Sequence, residues 1–177
     1  MKRLTVAGKM LTLLFAAAFL VACSSKGTRD DDAAAEAAAR AAAERAAAER
    51  AAAERAGSER AEQQRLEEEV ARVGNVFYFE FDSSTLTPQA QESLDAHIAL
   101  LRTNDRTVRL EGHTDERGTR EYNMALGERR ANTVRDYMVV NGIPSYRIET
   151  VSYGEEQPVA YGSGEANWSQ NRRVELK

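Results

Sequence analysis

The sequence is poor in the residues that most often carry chemistry, with one cysteine, two histidines and one tryptophan among 177 residues. A lone Cys23 excludes an intramolecular disulfide. His97 and His113 fall on different elements and lack the H-x-x-x-H spacing of a zinc pair, so no metal site and no cofactor are expected. Gly162-Ser163-Gly164 is not the G-x-S-x-G of a nucleophile elbow. There is no excess of base: 24 Lys and Arg stand against 28 Asp and Glu, a net charge of −4, which argues against a nucleic-acid partner. The apolar run over residues 10–20, broken by Thr12, falls short of the roughly 20 residues a spanning helix needs.

What is present begins with a leader. Lys2, Arg3 and Lys9 form a positive start before the apolar run, and Leu20-Val21-Ala22-Cys23 sets small residues before a cysteine, which is the order of a secretory signal. The tetrapeptide resembles the lipobox of bacterial lipoproteins, in which cleavage falls just before the cysteine and its sulfur carries a diacylglycerol. That resemblance implies a mature chain starting at a lipidated Cys23. Several acyl chains at about 0.8 kcal/mol per buried methylene hold such a protein on a membrane without a spanning helix. Ser24 stands where an Asp commonly marks inner-membrane retention, so the pattern implies an outer-membrane anchor with the rest of the chain in the periplasm. Losing Lys2, Arg3 and Lys9 with the leader leaves 21 basic against 28 acidic residues, a net of −7. Residues 1–22 are therefore expected to be signal peptide, 23–73 a lipidated start and tether, and 74–177 a folded domain.

The tether repeats in steps of five from Glu36 to Arg65, beginning E-A-A-A-R and continuing with A-A-A-E-R. Ala, Glu, Gln and Arg are strong helix formers. A five-residue step turns about 500° around a helix, however, so the charges spiral and leave no lasting apolar stripe to bury. A solvated helix over residues 33–73 would span about 60 Å. Gly57-Ser58 is its weak point. A coiled coil is the rival, because Leu66, Val70 and Val73 look like heptad positions, but no complete apolar heptad lies upstream.

Composition changes at Gly74-Asn75. Residues 76–81 are aromatic and β-branched and read as a strand. Thr87-Pro88 is a helix start, and Ala90, Leu94, Ile98 and Leu101 give that helix one buried face as far as about Asn104. Residues 107–111 alternate as a half-buried strand and lead into a polar loop over 113–118. A second helix over 122–140 turns Leu126, Val134, Tyr137 and Met138 inward and stops at Asn141-Gly142 before Pro144. Residues 148–153 form a third strand, 154–171 a long loop, and 173–177 a short fourth strand. The expected class is α/β, a β-α-β-α-β-loop-β sandwich.

Gly112-His113-Thr114-Asp115-Glu116-Arg117-Gly118-Thr119, Glu121-Tyr122-Asn123, Ala125-Leu126-Gly127-Glu128-Arg129-Arg130-Ala131, Val151-Ser152-Tyr153-Gly154-Glu155-Glu156 and Asn171-Arg172-Arg173-Val174 resemble the OmpA C-terminal family, across residues 76–177. With the lipobox, they resemble its lipoprotein members. The alanine repeat departs from the family pattern. The resemblance implies non-covalent binding of peptidoglycan through the diaminopimelate of its stem peptide, and a periplasmic propeller partner, TolB. It implies a part in holding the outer membrane to the wall and in constriction at cell division, with no catalysis.

It also implies site roles. Diaminopimelate ends as a zwitterion, so Asp115 would accept from its ammonium and Arg130 would grip its carboxylate with a planar fork. Asp82, Asn123 and Leu126 match positions lining the same pocket. By residue chemistry alone a different arrangement is the commoner one: Asp115 capping a turn, and Arg130 paired with Glu121 or Glu128 on a solvated face. One of Arg172 and Arg173 would reach the pocket while the other faces away, as the two-residue strand period requires. The competing enzymatic arrangement would set Asp82, Asp115 and Glu116 as carboxylates around a glycosidic bond.

Overall fold

The computed structural model describes residues 28–177. The leader and Cys23 lie outside the described residues. Thr28–Val73 forms helix α1, and the chain divides into two units with the boundary between Arg50 and Ala51.

In the first unit the described residues are all helical, and from Asp32 onward they are exposed. Their alanines have nothing to pack on, as the five-residue step requires. The one ion pair seen there runs from Glu36 to Arg40 at 2.6 Å, with the acid four residues before the base, the better orientation on a helix. In the second unit α1 continues through Gly57-Ser58 without a break, and Ser58 donates back to the Arg55 carbonyl. Leu66, Val70 and Val73 are half-buried there.

After α1 come β1 (Val76–Tyr78), α2 (Pro88–Leu101), β2 (Val108–His113), α3 (Arg120–Val140), a 3-10 turn at Ser145–Arg147, β3 (Ile148–Gly154), α4 (Glu165–Asn171) and β4 (Arg173–Leu176). The sheet runs β1-β4-β2-β3. β2 and β3 are parallel with α3 as their crossover, and β4 is antiparallel to both β1 and β2. Thr87 caps α2 by accepting from the Ala90 amide, and Thr119 caps α3 by accepting from that of Tyr122. Phe77, Leu94, Leu110, Val134, Met138 and Val174 fill the core between sheet and helices.

Three details depart from expectation. β1 stops at Tyr78 instead of Phe81, because the carbonyls of Glu80 and Ser83 accept from Arg130 and Asp82 turns the chain with φ 52°. His113 closes β2 rather than opening the loop. The long loop after β3 carries α4 at its end.

One close approach positions the site. A Cβ on Gly112 would lie 2.0 Å from the Gly127 carbonyl oxygen, and one on Gly127 would lie 2.4 Å from Ser152 Oγ. Two bare backbones let α3 settle onto β2 and β3 nearer than side chains permit. Arg130, almost one turn beyond Gly127, is thereby brought against the end of β2.

Candidate functional site

Phe81, Asp82, Thr114, Asp115, Arg117, Gly118, Tyr122, Asn123, Leu126, Arg130 and Arg172 line one cavity of about 210 Å³ at the end of β2. All five pocket residues expected in this domain are on that lining. The arrangement on a solvated face is excluded, because Arg130 is wholly buried and bonds neither Glu121 nor Glu128.

Arg130 is held by the backbone. Its Nε donates to the Ser83 carbonyl at 2.8 Å, Nη1 to that of His113 at 2.9 Å and Nη2 to that of Glu80 at 3.1 Å. A guanidinium has five N–H groups, so one remains on each of Nη1 and Nη2. Burial lowers its pKa to about 10, against the opposing pull of Asp115, and it stays charged at neutral pH.

Asp115 is also buried, and its carboxylate is already engaged. Arg117 grips it bidentately, Nε to Oδ1 at 3.1 Å and Nη2 to Oδ2 at 2.6 Å, while the Arg117 amide donates to Oδ1 and closes a turn. Turn capping and pocket lining are therefore properties of the same residue. Arg172 Nη1 lies 3.4 Å from Oδ2. Burial pushes this carboxyl up, but Arg117 and Arg172 outweigh it and hold the group below its ordinary value.

Around this pair, Asp82 accepts from the Tyr122 hydroxyl, and buried Asn123 donates to Glu155 and to the Arg117 carbonyl. Of the two consecutive arginines, Arg172 reaches the pocket and donates to the Phe79 carbonyl and Glu165, whereas Arg173 bonds Glu175 and the Gln157 carbonyl. The carboxylates imagined around a glycosidic bond are committed elsewhere: Glu116 accepts from Trp168 Nε1 and Ser163, and Asp115 is gripped by arginine. Among the described residues no group of three or more acidic, His or Cys side chains could hold a metal.

Sequence reasoning missed Arg117, Phe81, Trp168 and Glu165. The Arg117 guanidinium carbon lies 3.9 Å from the Phe81 ring centre and 4.1 Å from that of Trp168, and Glu165 pairs with Arg172. The D-x-R spacing of Asp115 and Arg117 was the one local signal, since an Asp side chain reaches the amide two residues on. Beneath the site, His113 is buried with both ring nitrogens unpartnered and stacks on Tyr153 at 5.5 Å. Burial lowers its pKa to about 4.

A buried anion and a buried cation thus share the lining of one small cavity. The OmpA family matches residues 78–172, more than half of the chain, and the chain belongs to that family. Its full-length relatives include the peptidoglycan-associated lipoproteins of Pseudomonas putida and Pseudomonas aeruginosa, each 48% identical over 170 residues and covering 96% of both chains. The solved peptidoglycan-associated lipoprotein of Burkholderia pseudomallei matches with a TM-score of 0.57 at 44% identity, over 58% of this chain and 88% of that one.

Proposed function

We propose that this protein is an outer-membrane lipoprotein, anchored through Cys23, that binds peptidoglycan non-covalently from the periplasmic side. The observation that carries the reading is the placement of buried Asp115 and buried Arg130 on one cavity lining. Diaminopimelate ends in an ammonium beside a carboxylate. Asp115 accepts from the ammonium, and the two spare N–H groups of Arg130 meet the carboxylate. Hydrogen bonds to charged groups contribute about 1.5–3 kcal/mol each, so a few suffice and no covalent step is needed. The protein is a binding module, not an enzyme. Leu126 supplies an apolar floor, and Asp82 and Asn123 fix the rim through Tyr122, Glu155 and the Arg117 carbonyl.

In the wider reading the protein acts in the Tol-Pal system, with TolB as its partner, and supports envelope integrity and outer-membrane constriction at cell division. Support comes from the lipobox, the full-length similarity to peptidoglycan-associated lipoproteins and the pocket itself. Calorimetry with a diaminopimelate tripeptide tests the site. Amidating the diaminopimelate carboxylate removes the charge opposite Arg130 and should weaken binding by about tenfold, one charge-assisted hydrogen bond's worth. Equal affinity for both forms would remove Arg130 from the site. If TolB and the tripeptide share this surface, each lowers the other's affinity, and unchanged affinities in a mixed titration would refute the overlap.

A further inference from the structure

The Arg117 side chain sits in a slot built for a cation. Phe81 and Trp168 face its guanidinium from about 4 Å, the Asp115 carboxylate closes the end, and Glu165 lies 3.9 Å from Nη2. Two aromatic faces and a carboxylate are the usual means of binding a cationic group, and a bidentate Arg–carboxylate pair uses the acceptor fully. The carboxylate that Arg117 grips is the one the proposed ligand ammonium needs. Charge points the same way. Asp82, Asp115, Glu116 and Glu165 stand against Arg117, Arg130 and Arg172, so withdrawing Arg117 increases the excess of negative charge that an incoming cation meets.

Arg117 is also the member of this group most able to leave. Its side chain is 30% exposed, whereas those of Asp115 and Arg172 are 5% exposed, and beyond the Asp115 pair it contacts only the two rings and Glu165 at 3.9 Å. Arg130, by contrast, is pinned by three carbonyls.

We infer that Phe81, Trp168 and Asp115 form a cation subsite that Arg117 occupies in the free protein, and that an ammonium-bearing ligand binds by displacing it. This rests on the proposed zwitterion-binding role of the pocket. An internal competitor reduces apparent affinity by the fraction of molecules in which the slot is open. Phe81 and Trp168 thereby gain a role in selectivity: only a group that outbids a guanidinium held between two rings gains entry.

The test is calorimetric titration of the full chain in detergent micelles with the tripeptide L-alanyl-γ-D-glutamyl-meso-diaminopimelate. Wild type is compared with Arg117→Ala and with Arg117→Gln, which keeps length and loses charge, each checked by near-UV circular dichroism. Removing the internal cation should tighten binding roughly tenfold in both variants, the gain expected if the slot is open in about a tenth of molecules. Trp168→Leu should weaken binding in the Arg117→Ala background, where the ligand cation alone fills the slot. Weaker binding by folded Arg117→Ala and Arg117→Gln would make Arg117 a ligand contact and overturn the inference while leaving the proposed function intact. Absence of binding by wild type and variants alike would overturn both.

Discussion

In α1 and in the folded domain the same residue type does opposite work. Along α1 the arginines from Arg40 onward stand in water, and three of them pair with acids three or four residues before them, Glu36 with Arg40, Glu62 with Arg65 and Glu69 with Arg72. In the domain Arg130, Arg147, Arg172 and Arg173 are buried, and each ties distant backbone together: Arg147, for example, donates to the carbonyls of Leu101 and Arg106. An exposed pair of this kind adds little to stability, whereas a buried arginine cannot be removed without stranding its acceptors. The helix thus depends on backbone propensity and tolerates change. The domain depends on a few guanidinium groups, two of which, Arg130 and Arg172, also line the pocket.

The largest effect should follow Arg130→Ala, which strands the carbonyls of Glu80, Ser83 and His113. A loss of about 4 kcal/mol is expected, lowering the domain's melting temperature by roughly 20 °C in thermal circular dichroism. Arg130→Lys should recover little, because one ammonium on a flexible stem does not reproduce the planar fork. An unchanged melting temperature would erase the contrast with α1.

Next comes Gly112→Ala, whose methyl would meet the Gly127 carbonyl and push α3 off the sheet. Overpacking at such a contact costs about 3 kcal/mol. Urea denaturation reads the loss, and the displaced helix should weaken ligand binding in parallel.

Acid should act through His113. Its folded pKa of about 4 lies below the ordinary histidine value, so between the two the unfolded chain binds the proton and the folded one does not. Stability from this residue is complete above pH 6.5 and falls as pH drops toward 4, with roughly 2 kcal/mol lost by pH 5. His113→Phe, which retains the stack on Tyr153, should flatten the stability profile over that window; a profile as steep as the wild type's would remove His113 as the cause.

The smallest effect belongs to α1. Glu36→Gln breaks the one pair seen in its first unit and should lower helicity slightly in far-UV circular dichroism, with the domain's melting temperature unchanged. A shift in that melting temperature would mean that the tether's charges bear on the domain.

Much of the fold was legible because its signals are local. Thr87 sits where cap chemistry needs it, Gly142 and Pro144 stop α3, and the alternation of Val108 to Leu110 marks one buried strand face, whereas the Thr119 cap sets the start of α3 at Arg120, two residues before the expected Tyr122. Asp82, Asp115, Asn123, Leu126 and Arg130 share one cavity lining. What could not be read is long-range: Arg130 meets acceptors 47 and 50 residues away, and those bonds shorten β1. The Arg117 slot joins Phe81 to Trp168 across most of the domain, and α4 is a seven-residue helix without a side-chain cap. Such features depend on tertiary proximity, which neither periodicity nor propensity records.

Sedimentation of the full chain with purified peptidoglycan sacculi in detergent, beside Asp115→Asn confirmed folded by near-UV circular dichroism, asks whether the proposed Asp115–Arg130 pocket holds the cell wall. Wild type should pellet with the sacculi and Asp115→Asn should stay in solution. Equal pelleting of the two would place wall binding elsewhere in the protein and overturn the proposed site.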